Sequence, residues 1–193
     1  DDQKKHGEEK EWEKKDKELI KDLEKKKNER NNNFINNLKS IVGFHRRESK
    51  PEFWAMYDRK DKEHEDLVDD TTCIANCIRT SDPPEKDKLS QLFKYKFQKQ
   101  DYKLKEGDTG FDILGTTSRT SNDKKETGFN IKKITEKGGE EYLTLKVGKP
   151  TLKRIGSMPS QLTLGPGKPF TTYDQQRAVT RYLKSILEKK NEN

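Results

Sequence analysis

The chain has no run of about 18 apolar residues, which excludes a membrane-spanning helix of ordinary length. Its first residues, DDQKKHGEEKEWEKK, hold no apolar signal segment. They also start without Met, which leads to the expectation of a piece of a longer chain. Cysteine is scarce: Cys73 and Cys77 are the only two, spaced four apart, which is not a CxxC pair. Two thiols alone cannot build a zinc site, so both are expected to be reduced, cytosolic packing residues. Apolar residues are scarce as well, at 27% against 40% charged. That is a thin core for 193 residues and predicts an elongated shape or a fragment of something larger.

Several catalytic patterns are missing. GPGKP at 165–169 has the wrong spacing for a phosphate loop, and Pro169 stands where a magnesium-binding hydroxyl would be needed, so it reads as a turn. His6, His45 and His64 are too far apart for a helical metal pair. Glu63-His64-Glu65 reads as a solvated surface. Asp69-Asp70 carries little weight as an acid–base or metal pair, because carboxylates are everywhere in this chain. No nucleophile elbow occurs. The chain itself is not expected to be an enzyme, and no cofactor or metal is expected.

What is present is charge, unevenly spread. The net charge is +7, with a pI near 9.2, which permits nucleic-acid binding. Residues 1–30 hold eleven basic and eleven acidic side chains, so the excess lies elsewhere. Residues 86–105 carry seven lysines against Asp87 and Asp101, and no acid occurs from Tyr142 to Tyr173.

The apolar spacing predicts a helix over about 9–30, with Trp12, Leu19, Ile20 and Leu23 on one face. Asn31, Asn32 and Asn33 break it and can cap a second amphipathic helix through Phe34, Ile35, Leu38, Ile41 and Val42. The first helix is too polar to stand alone, so a partner surface is expected for it. Ser49-Lys50-Pro51-Glu52 fits a capping box with proline in the first turn, so the preceding helix should end near Arg47. A short aromatic helix with Phe53, Trp54 and Tyr57 should follow, with another turn of helix over 62–69. Asp82-Pro83-Pro84 marks the expected boundary.

From about residue 90 the period changes to two. QLFKYKFQ places Leu92 and Lys94 on one face and Phe93, Tyr95 and Phe97 on the other. FDILG at 111–115 is a further short apolar run. GFNIKKI and EEYLTLKV flank Glu136-Lys137-Gly138-Gly139 as a hairpin. Gln161 to Leu164 can close the set, and five or so short strands predict a small antiparallel barrel. A last helix runs from about Thr172 to Lys190, with a stripe of Val179, Tyr182, Leu183, Ile186 and Leu187. The expected architecture is α+β: an antiparallel helical stalk with short helices (1–84), packed with a small antiparallel β-barrel (85–168), and a C-terminal helix (169–193).

Two stretches invite a functional reading. Lys94, Tyr95, Lys96, Phe97, Lys99, Tyr102, Lys103 and Lys105 interleave aromatics with lysines, which suits stacking on bases and neutralising phosphates. Alternation predicts directly that the aromatics are core and the lysines a wet face, and that is the favoured expectation. With Lys149, Lys153 and Arg154, the candidate nucleic-acid residues are Lys94, Lys96, Lys99 and Lys103. The other stretch is HRRESKPEFWAMYDR, 45–59, a candidate structural joint built on His45, Arg46, Arg47, Ser49, Pro51, Glu52, Trp54 and Tyr57. Trp54 and Tyr57 are expected to be buried. Arg46 and Arg47 suit phosphate, but also internal pairing with Asp58, Asp69 or Asp70, which is the favoured expectation.

"GFHRRESKPEFWAMYDR" followed by "EDLVDD" resembles a segment of bacterial fusions of a RecB-family nuclease with a superfamily-one helicase. The matching positions are His45, Arg46, Arg47, Glu48, Lys50, Pro51, Trp54, Asp58, Glu65, Leu67, Asp69 and Asp70, with Phe53 where a Trp is usual. "YKFQKQDYKLKEGD", 95–108, resembles a second motif of that family, departing from it at Gln98 and Lys99. "LTLGPGKPFTT", 162–172, is similar to the family's approach to its helicase core. The resemblance covers about residues 10–185. It implies a connector with a stalk, a barrel and a helix leading to an absent helicase core, in a parent that is an ATP-dependent helicase with a nuclease domain. Its implied role is to guide single-stranded DNA or RNA and couple that contact to the ATPase. The partners would be the single strand and the nuclease and helicase domains of the same parent chain, in the cytoplasm. The alternatives are a structural spacer between those domains and a protein-docking module, neither of which binds nucleic acid.

Overall fold

The computed structural model describes residues 2–117 and 126–189, with the backbone alone for 2–10 and 189. The His6 side chain and the expected helix end at Lys190 lie outside the described residues. The fold is α+β, with five helices and a seven-stranded antiparallel sheet among the described residues. The chain divides into a helical unit, Asp1–Trp54 with Pro169–Asn193, and a β unit, Ala55–Lys168. One strand of the sheet, Ile74–Arg79, precedes the expected boundary at residue 84.

In the helical unit, α1 (Asp2–Lys25) ends five residues earlier than its apolar spacing predicts, and α2 (Asn32–Ile41) follows. The asparagines close the intervening turn and leave α2 uncapped by side chains. The Asn28 amide donates to Asn31 Oδ1 at 2.6 Å, and Asn31 Nδ2 donates to the Lys26 carbonyl at 2.9 Å. The partner surface that polar α1 needs is supplied by α2 and by α5 (Tyr173–Lys189). Leu19 and Leu23 share one core with Ile35, Leu38, Val42 and Leu183, lined by Ile20, Ile41, Val179, Ile186 and Leu187. Tyr182, counted in the α5 stripe, is instead 54% exposed.

Helix α3 runs unbroken from Phe44 to Lys60, so the expected break near Arg47 does not occur. The break falls earlier, at Gly43, whose φ of 64° favours glycine and where a Cβ would collide with the Asp16 carboxylate. Pro51 sits inside the helix and deprives the Arg47 carbonyl of its usual amide.

The β unit comprises β1 (Ile74–Arg79), β2 (Glu85–Asp87), β3 (Ser90–Phe97), β4 (Thr109–Asp112), β5 (Gly128–Lys137), β6 (Glu140–Gly148), α4 (Lys149–Ile155) and β7 (Gln161–Gly165). The order is β1-β7-β4-β5-β6-β3-β2, with an additional β1–β3 pairing that joins Ile78 to Lys96 and Arg79 to Tyr95. The β5–β6 hairpin turns on Gly138 and Gly139, at φ 65° and 82°, as the two-glycine turn predicts. Strands β1 and β2 and helix α4 were not legible. In β1 the ladder is interrupted between Ile74 and Cys77, where Asn76 takes a φ of 52° and hides the alternation. The inward sides of the strands meet in one core that includes Phe93, Tyr95, Phe97, Phe129, Ile131, Leu143, Leu145, Leu162 and Leu164.

Candidate nucleic-acid interface

Alternation in β3 buries Phe93, Tyr95 and Phe97 at 6%, 0% and 3% exposure. The aromatic–lysine run is therefore split between two environments, and these three rings cannot stack on bases. Lys94 and Lys96 face outward, opposite Thr144 and Tyr142 of β6. On the same face, Lys146 lies opposite Leu92, and Lys133 of β5 lies opposite Thr144. Lys132 is the extra residue where the β5–β6 register shifts. Neither Lys132, Lys133 nor Lys146 belongs to the expected set; the pairing of β6 with both β3 and β5 brings them to one face.

That face is not purely basic. Lys94 donates to Glu85, which raises its pKa, and Lys96 donates to Glu140 at 3.4 Å. Lys146 Nζ lies 3.0 Å from Asp87 Oδ2 and is the main cause of that carboxyl's lowered pKa, with further contributions from Lys132 and Lys88. Tyr142, the aromatic of this face, donates its hydroxyl to Glu140 at 3.1 Å.

The remaining expected residues lie on other elements. Lys99, 3.8 Å from Glu136, and exposed Lys103 follow β3. Lys149 and Lys153 are exposed on α4, where Arg154 donates to Thr127 Oγ1 at 2.7 Å. The seven residues are thus distributed over a strand face, a loop and a helix.

The 45–59 motif lies wholly within α3 and does not make the turn expected of it. Ser49 Oγ donates to the Arg46 carbonyl at 3.1 Å inside α3, and Glu52 is exposed, so no capping box forms. Arg46 is internally paired, but with α1: its guanidinium reaches Asp16 at 2.8 Å and Glu13 at 3.2 Å. Arg47 donates to the carbonyls of Val42 and Ser40 at 2.6 and 2.8 Å, closing the C-terminal end of α2. His45 is half-buried, and its carbonyl accepts from Thr172 Oγ1 at 3.5 Å. Pro51 is exposed. Trp54 and Tyr57 are 69% and 44% exposed, so the expected burial is wrong. Trp54→Ala should accordingly change stability by no more than about 0.5 kcal/mol; thermal melting of the variant beside the wild type checks this.

Asp70 pairs with Arg59, not with Arg46 or Arg47: Arg59 Nε donates to Asp70 Oδ2 at 2.7 Å. Thr72 donates to Asp70 Oδ1 through its amide at 2.9 Å and its hydroxyl at 2.6 Å. Asp58 accepts from Lys62 at 2.7 Å, and Asp69 is exposed. His64, expected on a solvated surface, is half-buried and shares a 2.7 Å hydrogen bond with fully buried Thr163. Cys73 and Cys77 are buried and unbridged; burial pushes the Cys73 thiol up to about 11 and the Cys77 thiol further in the same direction. Among the described residues no group of three or more His, Cys, Asp and Glu could hold a metal ion, and no helix is long and apolar enough to cross a membrane.

Comparison with protein-family models, with curated proteins and with solved structures gives no match.

Proposed function

We propose that this chain is a non-catalytic connector of a nuclease-helicase. In this reading α1, α2 and α5 are the stalk, the strands whose pairing returns from β3 to β1 are a small β-barrel, and the outward lysines guide single-stranded DNA or RNA toward an ATPase in the same parent chain. The observation that carries it is the insertion of the whole β unit, 55–168, between two parts of one helical unit. Helical pair, strand region and closing helix follow one another in the order that the resemblance to nuclease-helicase fusions implies. Lys94, Lys96, Lys133 and Lys146 on one strand face supply the positive charge that a phosphate backbone needs. The reading assigns neither ATP hydrolysis nor strand cleavage to this chain, and it asks for no cofactor.

A titration of labelled single strands against salt tests it. Neutralising about five phosphates gives a slope of log affinity against log salt of about −3 to −4, without sequence preference. Replacing Lys94, Lys96, Lys149, Lys153 and Arg154 together should flatten that slope. The second reading, a spacer without nucleic-acid contact, is favoured by the carboxylates already set against Lys94, Lys96 and Lys146. It requires negligible binding even at low salt.

A further inference from the structure

Strand β2 is three residues long and, among the described residues, pairs with β3 alone. Its Glu85 and Asp87 lie opposite Leu92 and Ser90, positions that share the outer face of β3 with Lys94 and Lys96. Glu85 accepts from Lys94, one step along β3. Asp87 reaches across β3 to Lys146 on β6, at 3.0 Å. Asp87 Oδ2 is buried, and the Lys146 ammonium is the charged group set against it.

An edge strand gains protection from pairing with other chains from charge of either sign, and lysine serves well there. Protection therefore does not account for two acids in a chain of net charge +7, both set against lysines of the same face. The exposed Lys94–Glu85 pair adds little stability, because solvent-accessible ion pairs contribute little, whereas the Asp87–Lys146 pair is half-buried. The three aromatic rings of β3 offer this face no platform for bases, because Phe93, Tyr95 and Phe97 are buried, which leaves half-exposed Tyr142 with its hydroxyl on Glu140. Any affinity for a nucleic acid is then mainly electrostatic, and competition between carboxylate and phosphate for the same ammonium groups sets its strength.

We infer that Glu85 and Asp87 are built-in competitors for nucleic-acid phosphate at Lys94 and Lys146. This rests on the nucleic-acid reading proposed above and adds a restraint to it: the acids keep the contact weak and rapidly exchanging, as suits a surface over which a strand must move.

The test uses the full chain and a fluorescent oligothymidylate, titrated at several salt concentrations. Glu85→Gln and Asp87→Asn should each tighten binding about threefold, and the double variant about tenfold, near 0.1 M salt. Two further phosphate contacts should steepen the double variant's salt slope by about 1.4. Adding Lys94→Gln and Lys146→Gln to the double variant should abolish the gain. If the double variant binds as the wild type does, with the same slope, the competitor role is overturned while the phosphate surface stands. A gain that persists without Lys94 and Lys146 overturns the specific pairing. Absence of binding by both wild type and double variant at low salt overturns this inference together with the proposed function. Should the double variant melt prematurely, Glu85→Gln decides alone, because the Glu85 side chain is 58% exposed and its loss leaves the fold intact.

Discussion

Tyr95→Ala should destabilise the β unit by about 3–5 kcal/mol, the cost of emptying the site of a large buried ring. The ring is 0% exposed and lies in the same core as Phe93, Phe97, Leu143 and Leu145. Its hydroxyl donates to the Pro159 carbonyl at 2.8 Å, and burial raises its pKa. Tyr95→Phe keeps the ring and strands the carbonyl, so it should cost only about 1–2 kcal/mol. Urea denaturation followed by tyrosine and tryptophan fluorescence separates the two. The pair also decides how the aromatic–lysine run works. Folded Tyr95→Phe should bind single strands as the wild type does, because the ring is core. A selective loss of affinity in that variant, with its fold unchanged, would return Tyr95 to a binding role.

Asp70→Asn should cost about 2–3 kcal/mol near neutral pH, because charge-assisted hydrogen bonds to Arg59 and Thr72 lose their acceptor charge. Arg59 is left with its guanidinium at 15% exposure and no carboxylate beside it. Burial by itself would raise the Asp70 carboxyl, but hydrogen bonds from Thr72 and Arg59 outweigh it and hold the pKa below the usual value. A folded-state pKa below the unfolded one means that the carboxylate's contribution is fully present above the unfolded value of about 3.9. That contribution is lost as the pH falls through the folded value. The difference in melting temperature between wild type and Asp70→Asn, about 10 °C at pH 7 by the usual scaling, should therefore shrink below about pH 4. A difference that stays constant down to pH 2 would show that the charge of Asp70 contributes nothing.

The fate of particular residues explains where a sequence reading stops. Phe93, Tyr95 and Phe97 were legible as an inward face because strand alternation is a local property of the backbone. The Gly138-Gly139 turn was legible for the same reason: two adjacent positive φ values are a local demand that glycine meets. The capping box at Ser49 was equally local in form, yet it lost to the continuation of α3 across Pro51. Gly43 had already provided the break, closing against Asp16, twenty-seven positions earlier in the chain. Arg46 is internally paired, but its partners are Glu13 and Asp16 on α1, not the expected Asp58, Asp69 or Asp70.

By itself the sequence determined the α+β composition, the helical pair, the two-residue hairpin, the inward face of β3 and the C-terminal helix. Each depends on a period or a turn that a few neighbouring residues specify. Only the tertiary structure decided that β1 joins the sheet despite Asn76, that β1 pairs with both β7 and β3, and that α5 completes the core of α1 and α2. It also decided which charges meet: Asp70 with Arg59, Arg46 with Asp16, and Glu85 and Asp87 with the lysines of β3 and β6. The physical reason is that an ion pair or a strand pairing is chosen by distance in space. In a chain with 42 basic and 35 acidic residues, every charge has many partners of equal chemistry, and only folding brings one of them within reach.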